Sequence, residues 1–261
     1  MIPDDVAEAL ARTGARLGPF QHRVSWHEQV GSTNDLARAA ADAGAAEGTT
    51  IAANAQSSGR GRLGRSWSSP SGGGLYVSFV LRPEPRALSL LTIAAGVALA
   101  EGIETASGLK VALKWPNDLM VGVRKIGGIL AEAVSLGAGP LVDCVVIGFG
   151  INILTSVYPP DVEARATSIE RELGRRPDRG LVLAECLAAF AARYAALRNG
   201  RADAVLAAWR ARAAHMGRHV EWDSDAGLMS GVAQDIDDSG ALLVRIGGTT
   251  VRVVSGEVRW L

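Results

Sequence analysis

The sequence predicts an α+β protein in two parts, a larger domain over residues 1–214 and a small all-β domain over residues 215–261. Three observations carry this. Strand-like and helix-like apolar runs are interleaved up to about Ala214. From Gly217 onward only short alternating runs remain, separated by Gly and Asp turns. The length, 261 residues, has room for one large domain plus one small one.

Taken in order, residues 1–20 read as a short helix and linker, and Val24–Val30 alternates as a strand does until Gly31 ends it. Ser32, followed three residues later by Asp35, is a variant of the capping box and opens an Ala-rich helix that stops near Gly44. Thr50–Ala55 is a buried strand. The eighteen or so residues after it are almost all Ser, Gly, Arg and Pro, a loop of a length that is usually functional or disordered. Leu75–Leu81 is a strand ended by Pro83, and Arg86–Ser107 an apolar helix bounded by Gly108. Val111–Lys114, Leu119–Val123, Ile126–Val134 and Leu141–Ile153 are rich in Val, Ile and Leu and read as strands, with Gly122-Val123-Arg124-Lys125 as a hairpin turn. Thr155–Thr167, with Pro159-Pro160, is a second loop, and helices follow over 180–197 and 202–215. The short strands Val220–Trp222, Met229–Ile236, Ala241–Ile246 and Thr249–Val254 complete the chain.

With 48% apolar residues and a formal net charge of zero, the composition is that of a soluble globular protein. Zero net charge excludes nucleic-acid binding by bulk electrostatics, which needs clustered Lys and Arg. Cys144 and Cys186 lie in apolar stretches without metal or redox spacing and read as buried free thiols in a reducing compartment. The acidic N-terminus lacks a signal peptide's basic region and apolar core, and the longest apolar run, Leu88–Ala100, is too short to cross a bilayer. A cytoplasmic protein with no membrane partner is expected. The only lysines, Lys110, Lys114 and Lys125, cluster in a chain whose other cations are arginines.

Chemistry concentrates in three segments. In Gly59-Arg60-Gly61-Arg62-Leu63-Gly64-Arg65, preceded by Gln56 and followed by Trp67, glycines let backbone N–H groups turn toward one point and arginine forks bind phosphate oxygens. Read alone, the loop is an anion cradle, a solvated linker or an RNA-binding tail. It is not a Walker A loop, since no Gly-Lys-Ser/Thr follows. Next come Lys114-Trp115-Pro116-Asn117-Asp118 and Lys125-Ile126-Gly127-Gly128-Ile129-Leu130, where a strand lysine beside two glycines can be held where a ligand approaches the backbone. Lys125 is the candidate catalytic cation, while Lys114 and Asp118 either touch ligand or form an internal ion pair. Gly148-Phe149-Gly150-Ile151-Asn152 fails as a dinucleotide motif, because it lacks the third glycine and ends a strand.

In this order, together with Gly31-Ser32-Thr33-Asn34, these segments resemble the biotin–protein ligase family over about residues 24–153, and the C-terminal β module fits the same family. The resemblance implies a mixed β-sheet packed by helices, related to class II aminoacyl-tRNA synthetases, followed by an SH3-like barrel. It implies an ATP-dependent ligase that activates biotin as biotinyl-5′-AMP, with Mg²⁺, and passes it to a lysine of a biotin carboxyl carrier domain of an acyl-CoA carboxylase. Matched residue by residue, Ser32, Thr33, Asn34, Gln56, Gly59, Arg60, Lys125, Gly127 and Gly128 line the biotin pocket. Arg62, Arg65, Trp67, Lys114, Asn117 and Asn152 belong to the ATP side, with Lys125 and Arg62 as the catalytic cations and no metal ligand assigned. The tryptophan that stacks on adenine in some members has no counterpart in Thr155–Thr167. Only about 23 residues precede the first strand, too few for the DNA-binding domain some members carry, so no nucleic-acid partner is expected. The protein would be a monomer or a homodimer.

The rival on the same fold is a lipoate–protein ligase. From another class, the chain could be a non-catalytic biotin sensor or nucleic-acid binder. His215 and His219 lack a third metal ligand nearby. Trp209, Trp222 and Trp260 read as packing residues, and Glu101, Glu104 and Glu185 as solvated helix positions.

Overall fold

Two β-sheets organise the chain in a computed structural model that describes residues 1–134, 142–155, 160–224 and 227–261. The first contains β1 (Val24–His27), β2 (Thr50–Ala53), β3 (Gly74–Leu81), β4 (Ala112–Lys114), β5 (Asp118–Val121), β6 (Arg124–Val134) and β7 (Cys144–Asn152) in the order β1-β2-β3-β7-β6-β5-β4. Only β1 and β2 run parallel, so the sheet is mixed, as expected. The second is antiparallel, with β8 (His219–Ser224), β9 (Gly227–Ile236), β10 (Leu242–Ile246), β11 (Thr249–Val253) and β12 (Val258–Trp260) in the order β11-β10-β9-β8-β12. The helices are α1 (Asp4–Thr13), α2 (Thr33–Asp42), α3 (Leu91–Ser107), α4 (Pro160–Glu163), α5 (Ile169–Leu173), α6 (Arg179–Arg198) and α7 (Ala202–Arg210).

The central strands β3 and β7 are buried along their whole length, and their alternation separates two chemistries. Phe79, Ile147, Phe149 and Ile151 join the main core, where Phe79 meets Phe20 and Phe190 at ring-centroid distances of 4.9 and 4.7 Å. α3 is apolar nearly all round, as a helix enclosed by core must be. It packs on α6 so closely at Gly102 that a Cβ there would stand 2.5 Å from the backbone of Cys186. Pro85–Ser107 and Arg179–Arg198 are long and apolar enough to cross a membrane by composition alone, yet both are mostly buried inside this protein. The opposite face of the large sheet carries Ser78, Gly148, Gly150 and Asn152. At one end it is covered by α2, whose Ala37 and Ala41 pack with Val80, Val134, Cys144 and Val146. The thiols of Cys144 and Cys186 are free and buried.

Several elements differ from expectation. Ser32 stands at the N-cap of α2 but its side chain makes no capping bond, and Asp35 pairs with Arg60 at 2.8 Å instead of closing a capping box. The hairpin turn is Gly122-Val123 alone, with Arg124 and Lys125 already in β6. α7 ends at Arg210 rather than His215, because the next residues pair with the sheet edge: Leu113 N–H donates to Arg212 O and Ala214 N–H donates to Leu113 O. Glu185 is 7% exposed rather than solvated, held by two bonds from the Arg16 guanidinium at 2.7 and 3.0 Å. The helix α4, inside the segment expected to be the second loop, and the helix α5 and strand β12 are not anticipated by the sequence. Leu141, expected to start the seventh strand, and part of the second loop including Pro159 lie outside the described residues.

The small sheet shares the main core cluster, through residues such as Trp222 and Leu242, and polar contacts also join it to the large domain. Trp115 Nε1 donates to Gly240 O at 2.9 Å, and Arg210 Nε lies 2.8 Å from Asp235 Oδ1.

Candidate functional site

A cavity of about 960 Å³ opens on the face of the large sheet that α2 leaves uncovered. Its floor follows from strand register. Tyr76, Gly150 and Gly128 form one row across β3, β7 and β6, and Ser78, Gly148 and Leu130 form the next. A Cβ on Gly148 would stand 1.8 Å from Asn34 Oδ1, and one on Gly150 would stand 2.3 Å from Trp67 Nε1. These two glycines let the start of α2 and the Trp67 indole lie directly on the sheet. The Gly-Phe-Gly-Ile-Asn segment is therefore a strand whose alternate residues, Gly148, Gly150 and Asn152, face the site while Phe149 and Ile151 join the core.

The cavity gathers every site residue named from sequence except Gly127. Gly127 faces the other way, where a Cβ would stand 2.8 Å from Gly150 O and 2.9 Å from Leu119 Cδ1. It permits close strand packing rather than forming the cavity wall.

One end of the cavity is a buried polar network. Thr33 donates from its N–H at 2.8 Å and from its hydroxyl at 3.1 Å to Gln56 Oε1. Gln56 Nε2 donates to Ser69 Oγ at 2.8 Å. Ser78 Oγ lies 2.8 Å from Thr33 Oγ1 and donates to Asn34 Oδ1 at 2.5 Å. Ser32, Thr33, Asn34, Ser69 and Ser78 are all buried, and buried polar groups persist where partners fix them. Gly59 completes the wall: a Cβ there would stand 2.4 Å from Trp67 O and 2.7 Å from Ser69 Oγ.

The other end is cationic. Lys125 Nζ lies 2.5 Å from Asp118 Oδ1 and 5.3 Å from the centroid of the Trp67 ring. The ion pair thus joins Asp118 to Lys125, and Lys114, the other partner weighed from sequence, stays half-buried beside them. Arg62 donates to Asn117 Oδ1 at 3.2 Å and to Gly256 O at 3.3 Å. Asn117 Nδ2 is itself anchored on Ile129 O at 2.7 Å. Burial pushes the pKa of Arg62 and of Lys114 below the usual values, with Asp118 opposing in both cases. A cation penalised by burial is relieved when an anion enters beside it, so this end favours a negatively charged ligand. Trp67 Nε1 is buried with no hydrogen-bond partner among the described residues. Asn152 points its amide at Thr167 O, 2.9 Å away, tying β7 to the segment before α5.

Sequence reasoning missed what the small sheet contributes. Gly256, Glu257, Val258 and Arg259 line the cavity, and Arg65 pairs with Glu257. No local signal marks them, because β12 is a three-residue strand with nothing catalytic in its spelling. Glu132 was missed too, although its carboxylate accepts from Asn34 Nδ2 and Arg60 NH2, both at 2.8 Å. Among the described residues no group of three or more His, Cys, Asp or Glu could hold a metal ion.

Residues 26–152 match the model of the biotin/lipoate A/B protein ligase family, and residues 215–259 match the biotin protein ligase C terminal domain. The chain is 31% identical over 260 residues to the bifunctional ligase/repressor BirA of Bacillus subtilis, covering 98% of this chain and 79% of that one. It is 36% identical over 239 residues to the biotin–[acetyl-CoA-carboxylase] ligase of Mycobacterium tuberculosis, covering 88% of this chain and 86% of the other. Among solved structures, the biotin protein ligase from Aquifex aeolicus in complex with biotin and ATP superposes with a TM-score of 0.80 at 26% identity, over 92% of this chain and 99% of that one.

Proposed function

Since the chain belongs to the biotin protein ligase family, we propose that its own cavity activates biotin with ATP and hands the biotinyl group to a carrier lysine. The observation that carries this is the division of one cavity into a fixed polar wall and a cationic end. A ureido ring has two N–H donors and one carbonyl acceptor, and Ser32, Thr33, Asn34, Gln56 and Arg60 offer complementary groups. The thiophane ring and valeryl chain lie along Trp67, Gly128 and Gly150, and the carboxylate reaches Lys125.

The first step joins two anions. A carboxylate oxygen of biotin attacks the α-phosphorus of ATP, the new O–P bond forms, and the bond to pyrophosphate breaks. Lys125, Arg62, Arg65 and Lys114 offset the repulsion and stabilise charge developing at the α-phosphoryl group, which is what preorganised cations contribute in a partly dry site. Asn117 holds Arg62 in place, and Trp67 and Asn152 face the nucleotide. In the second step the amine of a biotin carboxyl carrier domain attacks the acyl carbon, AMP leaves, and the amine loses a proton. Mg²⁺ usually keeps its waters and binds substrate phosphates. Bound with the triphosphate, it would add positive charge beside Lys125 and the arginines. The protein works in the cytoplasm, where ATP and carrier are found.

Incubating the chain with ATP and either biotin or lipoate, and analysing the products by mass spectrometry, tests the reading. Biotinyl-AMP and pyrophosphate are expected with biotin. An adenylate formed from lipoate alone would assign the rival activity, and no adenylate from either acid would leave a binding protein.

A further inference from the structure

We infer that Glu132, on the strand β6, is a positioning residue that sets how the cavity reads the ureido ring, acting through Asn34 and Arg60; this rests on the functional reading above. Its Oε2 accepts from Asn34 Nδ2 at 2.8 Å and from Arg60 NH2 at 2.8 Å. Of the two, Asn34 is the one whose donor and acceptor ends can be exchanged. A carboxylamide turned end over end exchanges its donor for its acceptor, and an ionised carboxylate only accepts. Glu132 therefore fixes the NH2 end of Asn34 toward β6, which leaves Oδ1 to accept from Ser78 Oγ at 2.5 Å. Ser78 in turn lies 2.8 Å from the Thr33 hydroxyl. The orientation of Asn34 and of the Ser78 hydroxyl thus follows from one carboxylate.

Arg60 has two carboxylates, and they are not equivalent. Its NH2 lies 2.8 Å from both Asp35 Oδ1 and Glu132 Oε2, but the Asp35 side chain is 58% exposed and that of Glu132 only 23%. Asp35 sits in the first turn of α2. Glu132 sits in register opposite Val146 of the buried strand β7, so it is the rigid anchor of the two. Glycine at position 148 lets Asn34 come down onto the sheet, within reach of Glu132. The effect belongs to biotin and not to ATP, because Arg62, Lys114 and Lys125 make no contact with Glu132 among the described hydrogen bonds and ion pairs.

The test measures biotinyl-AMP formation by the full chain and by Glu132→Gln and Glu132→Ala, varying biotin at saturating ATP and ATP at saturating biotin. Glu132→Gln keeps the shape, removes the charge and restores the freedom of Asn34 to turn over. It should raise the KM for biotin about tenfold, with the KM for ATP and the kcat within about threefold of the parent. Glu132→Ala should raise the KM for biotin further, with the same split. A Glu132→Gln chain whose KM for biotin stays within twofold of the parent overturns the inference, as does a parallel rise in both KM values, which would mark a merely structural role. A parent chain that forms no biotinyl-AMP overturns the functional reading and this inference with it; a working parent beside an indifferent Glu132→Gln overturns this inference alone.

Discussion

Lys125 owes its position to neighbours on every side. Its N–H donates to Arg165 O at 2.7 Å, and its carbonyl accepts from Thr167 N–H at 2.9 Å. At the far end of the side chain, Asp118 and the Trp67 ring hold the ammonium group over Gly128. The backbone is therefore fixed by one segment and the charge by another, so under the proposed function little reorganisation would be needed for a carboxylate and an α-phosphate to meet beside it. Lys125→Ala should lower the rate of pyrophosphate release at least about 10²-fold, the scale of losing one preorganised charge-stabilising group. The variant also leaves Asp118 facing the incoming anions without its partner, which adds to the loss. A pyrophosphate release rate equal to the parent's would remove Lys125 from the chemistry. Lys114 differs from Lys125: it has no ion pair among the described residues and burial depresses its pKa, so an arriving phosphate would favour its charge, as it would that of Arg62.

At the scale of elements, β7 does the most to shape the site, and it does so by what it omits. An alanine methyl at position 148 would overlap the Asn34 amide, with 1.8 Å to Oδ1 and 2.7 Å to Cγ. Gly148→Ala should therefore displace the start of α2, raise the KM for biotin about tenfold or more, and lower stability by about 1–3 kcal/mol, the usual range for overpacking. A crystal structure or thermal melt of the variant indistinguishable from the parent would show that α2 does not depend on that glycine. The strands and the long helices were legible because their apolar runs are continuous and their ends carry Gly or Pro, as with Pro83 after β3 and Gly108 after α3. The face that each strand turns to the site was not legible. Both faces of β3 and β7 are buried, so hydrophobicity does not alternate, and the two glycines of β7 are silent until Asn34 and Trp67 are seen resting on them. The end of α7 was misread for the opposite reason: Ala211–Ala214 has good helix propensity, but the free edge of β4 offered those residues a sheet-like pairing instead.

At the scale of the whole molecule, the small sheet is part of the site rather than an appendage. The change of pattern near Gly217 made the module visible in the sequence, but nothing there paired Arg65 with Glu257, 192 residues away. In the fold, Gly256 O accepts from Arg62 and Glu257 accepts from Arg65, so two adjacent residues of the module hold two arginines of one loop. The bond from Arg65 holds the Glu257 carboxyl below the usual range; this contact is present at neutral pH and is lost only as pH falls through that lowered value. Both side chains are substantially exposed, 64% for Arg65 and 35% for Glu257, so the pair contributes little to stability. Its consequence is geometric. A guanidinium has five donors, and among the described residues one of its nitrogens, NH2, is engaged by Glu257, so under the proposed function the others would meet phosphate from a fixed direction. Glu257→Gln should accordingly shift the thermal midpoint by less than about 4 °C, the shift expected for about 1 kcal/mol in a chain of this size, while raising the KM for ATP about three- to tenfold. The KM for biotin should stay within twofold. If the carboxylate instead mainly competed with phosphate for Arg65, its removal would lower the KM for ATP, and that outcome, or an unchanged value, would show that the module does not orient the loop.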